Sequence, residues 1–291
     1  MSTVIISSTQ DTASTNIKNA LLKKTHWEEQ GQFLNHSYYK SAIFSNLYLI
    51  TIQDSTIIHE GLQEEIIKHL GIKPTEAIFI SRHRSKSGKP TLTTHPIGNF
   101  GEALFGGKAK MVSPTLPHHM TALLRIINEN KQNAQLSQKT CFEVTHHGPY
   151  MSIPTMFAEV GSTEEEWMKQ KPADIIADSI LQLLERYNNI KNIPNEIPVL
   201  LGVGGGHYAP RFTNVALEKS VAFSHMIPSY HIDQRSIDYE LFKKILEISQ
   251  PIHGVYLHRK ALKKSQQTIF KQWCKDLEIP MVSSNDFTDV A

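Results

Sequence analysis

Short β-branched apolar runs alternate with amphipathic helical stretches along this chain, and that alternation restricts its fold more than any other feature. Thr3 to Ser8 leads through Asp11 to Ile17, Ala20 and Leu21 at helical spacing, a strand feeding a helix. Leu47 to Ile52 and Ala77 to Ser81 read as strands, with a helix from Gln63 to Leu70 closed by Gly71. Leu116 to Asn130 predicts a helix and Cys141 to Thr145 a strand. Pro172 opens a helix whose Ile175, Ile176, Ile180, Leu183, Leu184 and Tyr187 form one apolar stripe, ahead of a buried strand from Ile197 to Leu201. Ser236 is placed to cap a helix reaching Ile248; Gly254 to Leu257, Gln266 to Leu277 and Met281-Val282 follow as strand, helix and strand. Parallel strands need such helical returns, so the predicted fold class is α/β, a three-layer sandwich with a mostly parallel or mixed sheet. No repeat or linker divides the sequence, which predicts one α/β unit over residues 1–291 with an embedded subdomain. The polar stretch Gly161 to Lys171 is the expected insertion or mobile loop.

With 291 residues, 40% of them hydrophobic and 20% charged, the chain can bury a large core, which excludes disordered and fibrous classes. Its opening has no basic stretch before the short apolar run, and no window approaches the roughly 18 apolar residues of a membrane helix. A cytoplasmic, unanchored protein is expected. Only Cys141 and Cys274 are present, far apart, which excludes a disulfide framework or a cysteine zinc cluster and predicts two buried apolar thiols. The net charge of +2 says little about partners, but basic residues crowd two loops, Arg82 to Lys89 and His258 to Lys264. Each loop is either a nucleic-acid contact or simply a solvated surface.

Fifteen histidines are the unusual total, and their placement carries the chemistry. In α/β sheets ligands gather where strands end. Arg82-His83-Arg84 and then His95-Pro96 follow one predicted strand, His146-His147-Gly148-Pro149 another, and Gly204-Gly205-Gly206-His207 a third. Each places imidazole beside glycine or proline, where backbone can approach a ligand closely. One such histidine alone would read as a hydrogen-bonded loop residue; three recurrences point to a site. Imidazole and carboxylate are zinc ligands. Strand alternation puts Glu143 and His147 on one face, able to share a metal or form an acid/base pair, unless Glu143 merely pairs with a loop lysine. The glycine run fails the dinucleotide fingerprint, because His207 takes the third glycine's place and Pro210 stands where a helix should open. Its backbone N–H groups can still hold an oxyanion or a phosphate. His118 and His119 are expected at the surface of a helix start, and His225, His231 and His253 have no companion motif.

The blocks SRHRSKSGKPTLTTHPIGNFGEALFGG, FEVTHHGPY and GVGGGHYAPRFTN, with the opening SSTQDTASTNIKNAL, resemble in their order the signatures of the archaeal and plant D-aminoacyl-tRNA deacylases. Tyr150 departs from that pattern, where threonine is more usual. The resemblance implies hydrolysis of D-aminoacyl-tRNA to free D-amino acid and tRNA, zinc dependence, a monomer, and a core similar to the peptidyl-tRNA hydrolase and phosphorylase folds.

On this reading zinc held by some of His83, His95, His146, His147 and His207 activates water against the ester carbonyl. Gly204, Gly205 and Gly206 stabilise the oxyanion, and one of His146, His147, His207 or Glu143 protonates the leaving ribose oxygen. A metal-free path assisted by the ribose 2′-OH stays open. Arg82, Arg84, Lys86, Lys89 and Arg211 would position the acceptor end of tRNA through its phosphates. Two alternatives make different demands. A phosphate-dependent nucleoside transferase would need phosphate and no metal; a non-catalytic RNA-binding protein would bind tRNA without turnover, with affinity falling steeply in salt.

Overall fold

The computed structural model describes residues 2–189, 197–249 and 251–290, and two sheets organise them. The first element is β1 (Thr3–Ser8), followed by α1 (Thr12–Lys24), whose cap is Asp11 accepting from Ser14 N at 2.9 Å. Next come β2 (Trp27–Phe33), β3 (His36–Ser41), β4 (Leu47–Ile52), α2 (Leu62–Leu70), β5 (Glu76–Arg84) and β6 (Thr91–His95). The short β7 (Gly98–Asn99) and β8 (Met111–Val112) form a two-strand ribbon ahead of α3 (Pro117–Asn133), β9 (Lys139–Phe142), β10 (Thr155–Ser162), α4 (Glu164–Met168) and α5 (Gln170–Asn189). The last third supplies β11 (Val199–Val203), α6 (Pro210–Glu218), β12 (Ala222–Ile227), α7 (Ser229–Asp233), α8 (Tyr239–Ile248), β13 (Gly254–Leu257), α9 (Lys264–Asp276) and β14 (Met281–Val282).

The larger sheet runs β2-β3-β4-β1-β5-β10-β6-β9 and the smaller β12-β11-β13-β14. The inner pairs β4/β1, β1/β5 and β5/β10 are parallel, β10/β6 is antiparallel, and every pair of the smaller sheet is parallel. The α/β class with a mixed sheet is as expected. Helices α1, α3 and α5 cover one face of the larger sheet in a core that continues onto β11, β12 and α6, so the two sheets share packing. Their other faces are closed by α2 on one side and by α8 and α9 on the other.

Several expectations give way. Gly161 to Lys171 is no insertion: Gly161 and Ser162 end the wholly buried strand β10, Thr163 caps α4, and α5 starts at Gln170 rather than Pro172. The α5 stripe from Ile175 to Leu184 is buried, while the side chain of Tyr187 lies outside the described residues. Asp238, not Ser236, caps α8, accepting from Leu241 N at 2.8 Å. The strand around Ile197 begins at Val199, and Pro210 does open a helix, as the first residue of α6, where a missing N–H costs nothing. His118 and His119 are half-buried rather than exposed, and His118 Nε2 donates to Ile197 O. Cys141 and Cys274 are buried free thiols, as expected. No helix among the described residues is long and apolar enough to cross a membrane.

Candidate active site

Strand β9 stops at Phe142, one residue before the chemistry begins. From there the backbone leaves the ladder and bonds to three other elements in turn: Glu143 N donates to Thr94 O, Val144 N to His207 O and Thr145 N to Met226 O. Strand alternation therefore ends before it can pair Glu143 with His147. Glu143, fully buried, meets His207 and His83 instead; Oε2 accepts from His207 Nε2 at 2.8 Å and from His83 Nδ1 at 3.0 Å. His147 sits in the left-handed region, φ +44, and turns toward His95 and His146, with ring centroids 5.0 and 4.0 Å away.

The other histidines arrive from the sheet itself. Strand β5 runs on to Arg84, so His83 is a buried strand residue rather than part of an exit loop. Gly161 of the neighbouring β10 makes room for it, since a Cβ there would lie 2.9 Å from the His83 ring. His95 ends β6 with no exposure. Between them β10 contributes a second buried carboxylate, Glu159, whose Oε2 is 3.6 Å from His95 Nε2 and 3.7 Å from His83 Nδ1. These residues back a cavity of about 520 Å³ walled by His83, His146, His147, His207 and Glu159, with Arg82, Arg84, Lys86 and Phe105 around them.

Charge within the cluster is divided. Burial disfavours a charge on His83, but the Glu143 carboxylate outweighs it and raises the imidazole pKa to about 10; His83 Nε2 then donates to the Tyr208 hydroxyl at 3.0 Å. Burial likewise opposes ionisation of Glu143, yet the His83 charge and the two hydrogen bonds hold it well below the carboxylate range. Burial and the neighbouring imidazoles push His146 well below its usual value and His147 to about 3, so both are neutral at pH 7. Glu159 is raised by burial.

Three imidazoles then present themselves in one way. His95 Nδ1 faces Pro96 O at 3.1 Å, His146 Nδ1 faces Val144 O at 2.7 Å and His147 Nδ1 faces Gly148 O at 3.3 Å. A carbonyl only accepts, so each Nδ1 carries the hydrogen, and the neutral rings of His146 and His147 leave a bare Nε2; burial opposes a charge on His95, but the facing Glu159 carboxylate raises its pKa. One ring nitrogen from each of the three lies within 4.8 Å of the others. His146 Nε2 stands 3.5 Å from Glu143 Oε2, two acceptors facing each other, and His95 Nε2, Glu143 Oε1 and Glu159 Oε2 are buried without a hydrogen-bond partner. The bare nitrogens of His146 and His147 beside unpartnered carboxylate oxygens fit a cation, and imidazoles whose far nitrogens are tied to carbonyls fit zinc. His83, Glu143 and His207 form a second such group.

Two expected parts of the site are placed elsewhere. Gly204 N donates to Ile227 O and Gly205 N to Ser229 Oγ, so of the three glycine N–H groups the first two are already spent, and none of the three glycines walls the cavity. Lys89 is exposed outside the cavity, and Arg211 lines a separate crevice beside the smaller sheet.

The structure adds residues that the sequence did not announce. Besides capping α1, Asp11 accepts from Arg82 N at 2.7 Å and Ser81 Oγ at 3.0 Å, which fixes the end of β5. His225 is fully buried; it accepts from the Thr145 hydroxyl at Nδ1 and donates to Ser113 O through Nε2, pinning the segment that carries His146. Burial holds its pKa at about 3. The unfolded chain takes up that proton near pH 6.5, so His225 weakens the fold progressively as pH falls from about 6.5 toward 3 and is without effect above. Urea midpoints followed from pH 7 to pH 4 are expected to fall more steeply for the wild type than for His225→Gln, by a few kcal/mol in all; parallel curves would remove His225 as a source of acid sensitivity.

The D-aminoacyl-tRNA deacylase family model matches residues 70–282. D-aminoacyl-tRNA deacylase of Pyrococcus abyssi is 35% identical over 281 residues, covering 96% of this chain and 98% of its own length. The protein of the same name from Thermococcus onnurineus is 34% identical over 283 residues, with coverage of 96% and 98%. A crystallised conserved protein of unknown function superposes with a TM-score of 0.88 at 28% identity, over 99% of each chain.

Proposed function

The chain belongs to the D-aminoacyl-tRNA deacylase family, and on that premise we propose that the histidine–glutamate cavity is where it hydrolyses the ester between a D-amino acid and tRNA. The observation that carries this assignment is the convergence of four histidines and Glu159 on one cavity beside Arg82, Arg84 and Lys86, backed by the buried His95 and Glu143.

His95, His146 and His147 would hold a zinc ion, with Glu143 and Glu159 behind them. Bound there, zinc supplies a Lewis acid that polarises a carbonyl and makes water more acidic. His207 is the half-exposed member of the cluster and does the proton work, oriented by Glu143 and able to hand a proton to the leaving ribose oxygen. His83, charged and donating to both Glu143 and Tyr208, keeps that carboxylate ionised. Phosphates of the acceptor end would meet Arg82, Arg84 and Lys86, of which Arg84 already shares its charge with Glu164 at 3.2 Å. The protein would work in the cytoplasm as a monomer.

The deciding experiment is release of amino acid from matched D- and L-aminoacyl-tRNA, before and after chelation and zinc restoration. Release from the D ester alone, lost on chelation and recovered with zinc, is expected. Chelator-resistant release would move the chemistry to His207 and the ribose 2′-OH, and absence of release from either ester would overturn the assignment.

A further inference from the structure

The smaller sheet is doubly wound. From β11 the chain returns through α6 on one face to β12, and from β12 through α8 on the other face to β13, while β12 and β13 flank β11 on opposite sides. Such a reversal opens a crevice at the carboxyl ends of the central strands, where α/β sheets take ligands. A cavity of about 550 Å³ lies there, apart from the histidine cavity. Arg211 and Asn214 enter it from α6, His258, Arg259 and Lys260 from the segment after β13, and Ser284 from the segment after β14.

Its charge is one-sided. Among the described residues no carboxylate pairs with Arg211, Arg259 or Lys260. The Arg211 guanidinium is held in place by neutral partners only, donating to the Tyr256 hydroxyl at 2.8 Å and to Ser284 Oγ at 3.1 Å. Asp286, the acidic residue of the adjoining turn, accepts from Ser283 N and Oγ. His258 Nδ1 is buried without a partner, and burial, Arg211 and Lys260 together lower that imidazole's pKa, the sign of a positive field inside the crevice. A fixed guanidinium, two free cations and hydroxyl and amide donors suit phosphate oxygens. The loop from Gly204 to Tyr208 lies between this crevice and the catalytic cavity: its His207 donates to Glu143, while a Cβ on its Gly205 would stand 3.1 Å from His258 Nδ1.

We propose that this crevice is a second phosphate subsite, holding the sugar–phosphate backbone of the tRNA acceptor arm while the ester lies among the histidines on the other side of the loop. The proposal rests on the reading that the substrate is an aminoacyl-tRNA. Because this contact is remote from the ester, it adds affinity for long RNA and nothing to chemistry. The measurement compares D-aminoacyl-tRNA with the D-aminoacyl ester of a CCA trinucleotide, using the double variant Arg259→Ala/Lys260→Ala and the single variant Arg259→Glu, both at exposed positions. For full-length tRNA, KM is expected to rise about tenfold at unchanged kcat, with the slope of log KM against log salt reduced by about 1 to 2. The short ester should be cleaved as by the wild type. Unchanged KM for tRNA, or equal losses on both substrates, overturns the subsite. If the wild type cleaves neither ester, the hydrolase reading fails separately. Binding of uncharged tRNA by wild type and double variant then decides the subsite, equal affinities overturning it.

Discussion

Replacing His207 with alanine is expected to lower kcat on D-aminoacyl-tRNA by about 100- to 10,000-fold and to leave the melting temperature within a few degrees of the wild type. The two effects separate because of how this residue is held. Its side chain is 35% exposed, so truncation removes little buried surface. The main-chain bond that braces the site, from Val144 N to His207 O, does not depend on the imidazole. Glu143 keeps His83 as a donor at 3.0 Å, so no unpaired carboxylate is created. What is lost is the one imidazole that both touches Glu143 and opens widely to the cavity. His207→Gln distinguishes proton transfer from positioning. Glutamine can still donate to Glu143 Oε2 but cannot shuttle a proton at neutral pH. Both variants should therefore be slow in single-turnover release with normal thermal melts. Recovery in the glutamine variant would make His207 a positioning residue, and near-normal turnover in the alanine variant would remove it from the reaction.

How far the sequence discloses this arrangement depends on what each segment buries. Central strands such as β1 and β4 are apolar and β-branched and stand out at once. Strand β10 does not, although it lies in the middle of the larger sheet with every residue buried. Glu159 and Gly161 break its apolar run, and both do so because of the site: one is a carboxylate beside His95 and His83, the other clears space for the His83 ring. Strand β12 is hidden in the same way by Ser224 and His225, the latter braced against Thr145. The β2–β3 hairpin is hidden for the opposite reason, being too solvated to carry an apolar pattern, and its turn uses Leu34 and Asn35, both at positive φ, in place of a glycine. Histidine next to glycine or proline marks His95, His147 and His207, with His146 adjoining, as neighbours, whereas His83 reaches them from inside β5 between Arg82 and Arg84. Their pairing with carboxylates is not legible, because the backbone leaves the strand at Phe142 and alternation no longer says which way Glu143 faces.

Glu143→Gln is expected to carry the largest combined effect, abolishing more than about 99% of turnover and destabilising the fold by about 3 to 5 kcal/mol. Glutamine matches the carboxylate in size, so packing is preserved and the change is electrostatic. Its first consequence falls on His83, which is 5% exposed and owes its proton to the facing carboxylate. Without that charge His83 must either stay ionised and unpaired in the interior or give up its proton. Glu159, 3.7 Å away and itself raised by burial, is a poor substitute. The second consequence falls on His207, which loses the acceptor that aims it. Adding His83→Gln tests the account by a double-mutant cycle, measured by urea unfolding with chelator present so that metal loss does not contribute. Once Glu143 is gone, removing His83 costs little further, so the double variant should be more stable than the sum of the single losses requires, by about 1 to 3 kcal/mol. Turnover should stay absent throughout, because stability is recovered by discharging the pair and catalysis is not. Additive losses of stability would show that the two residues do not act as a buried pair, and a Glu143→Gln enzyme with wild-type turnover would show that His207 needs no carboxylate to guide it.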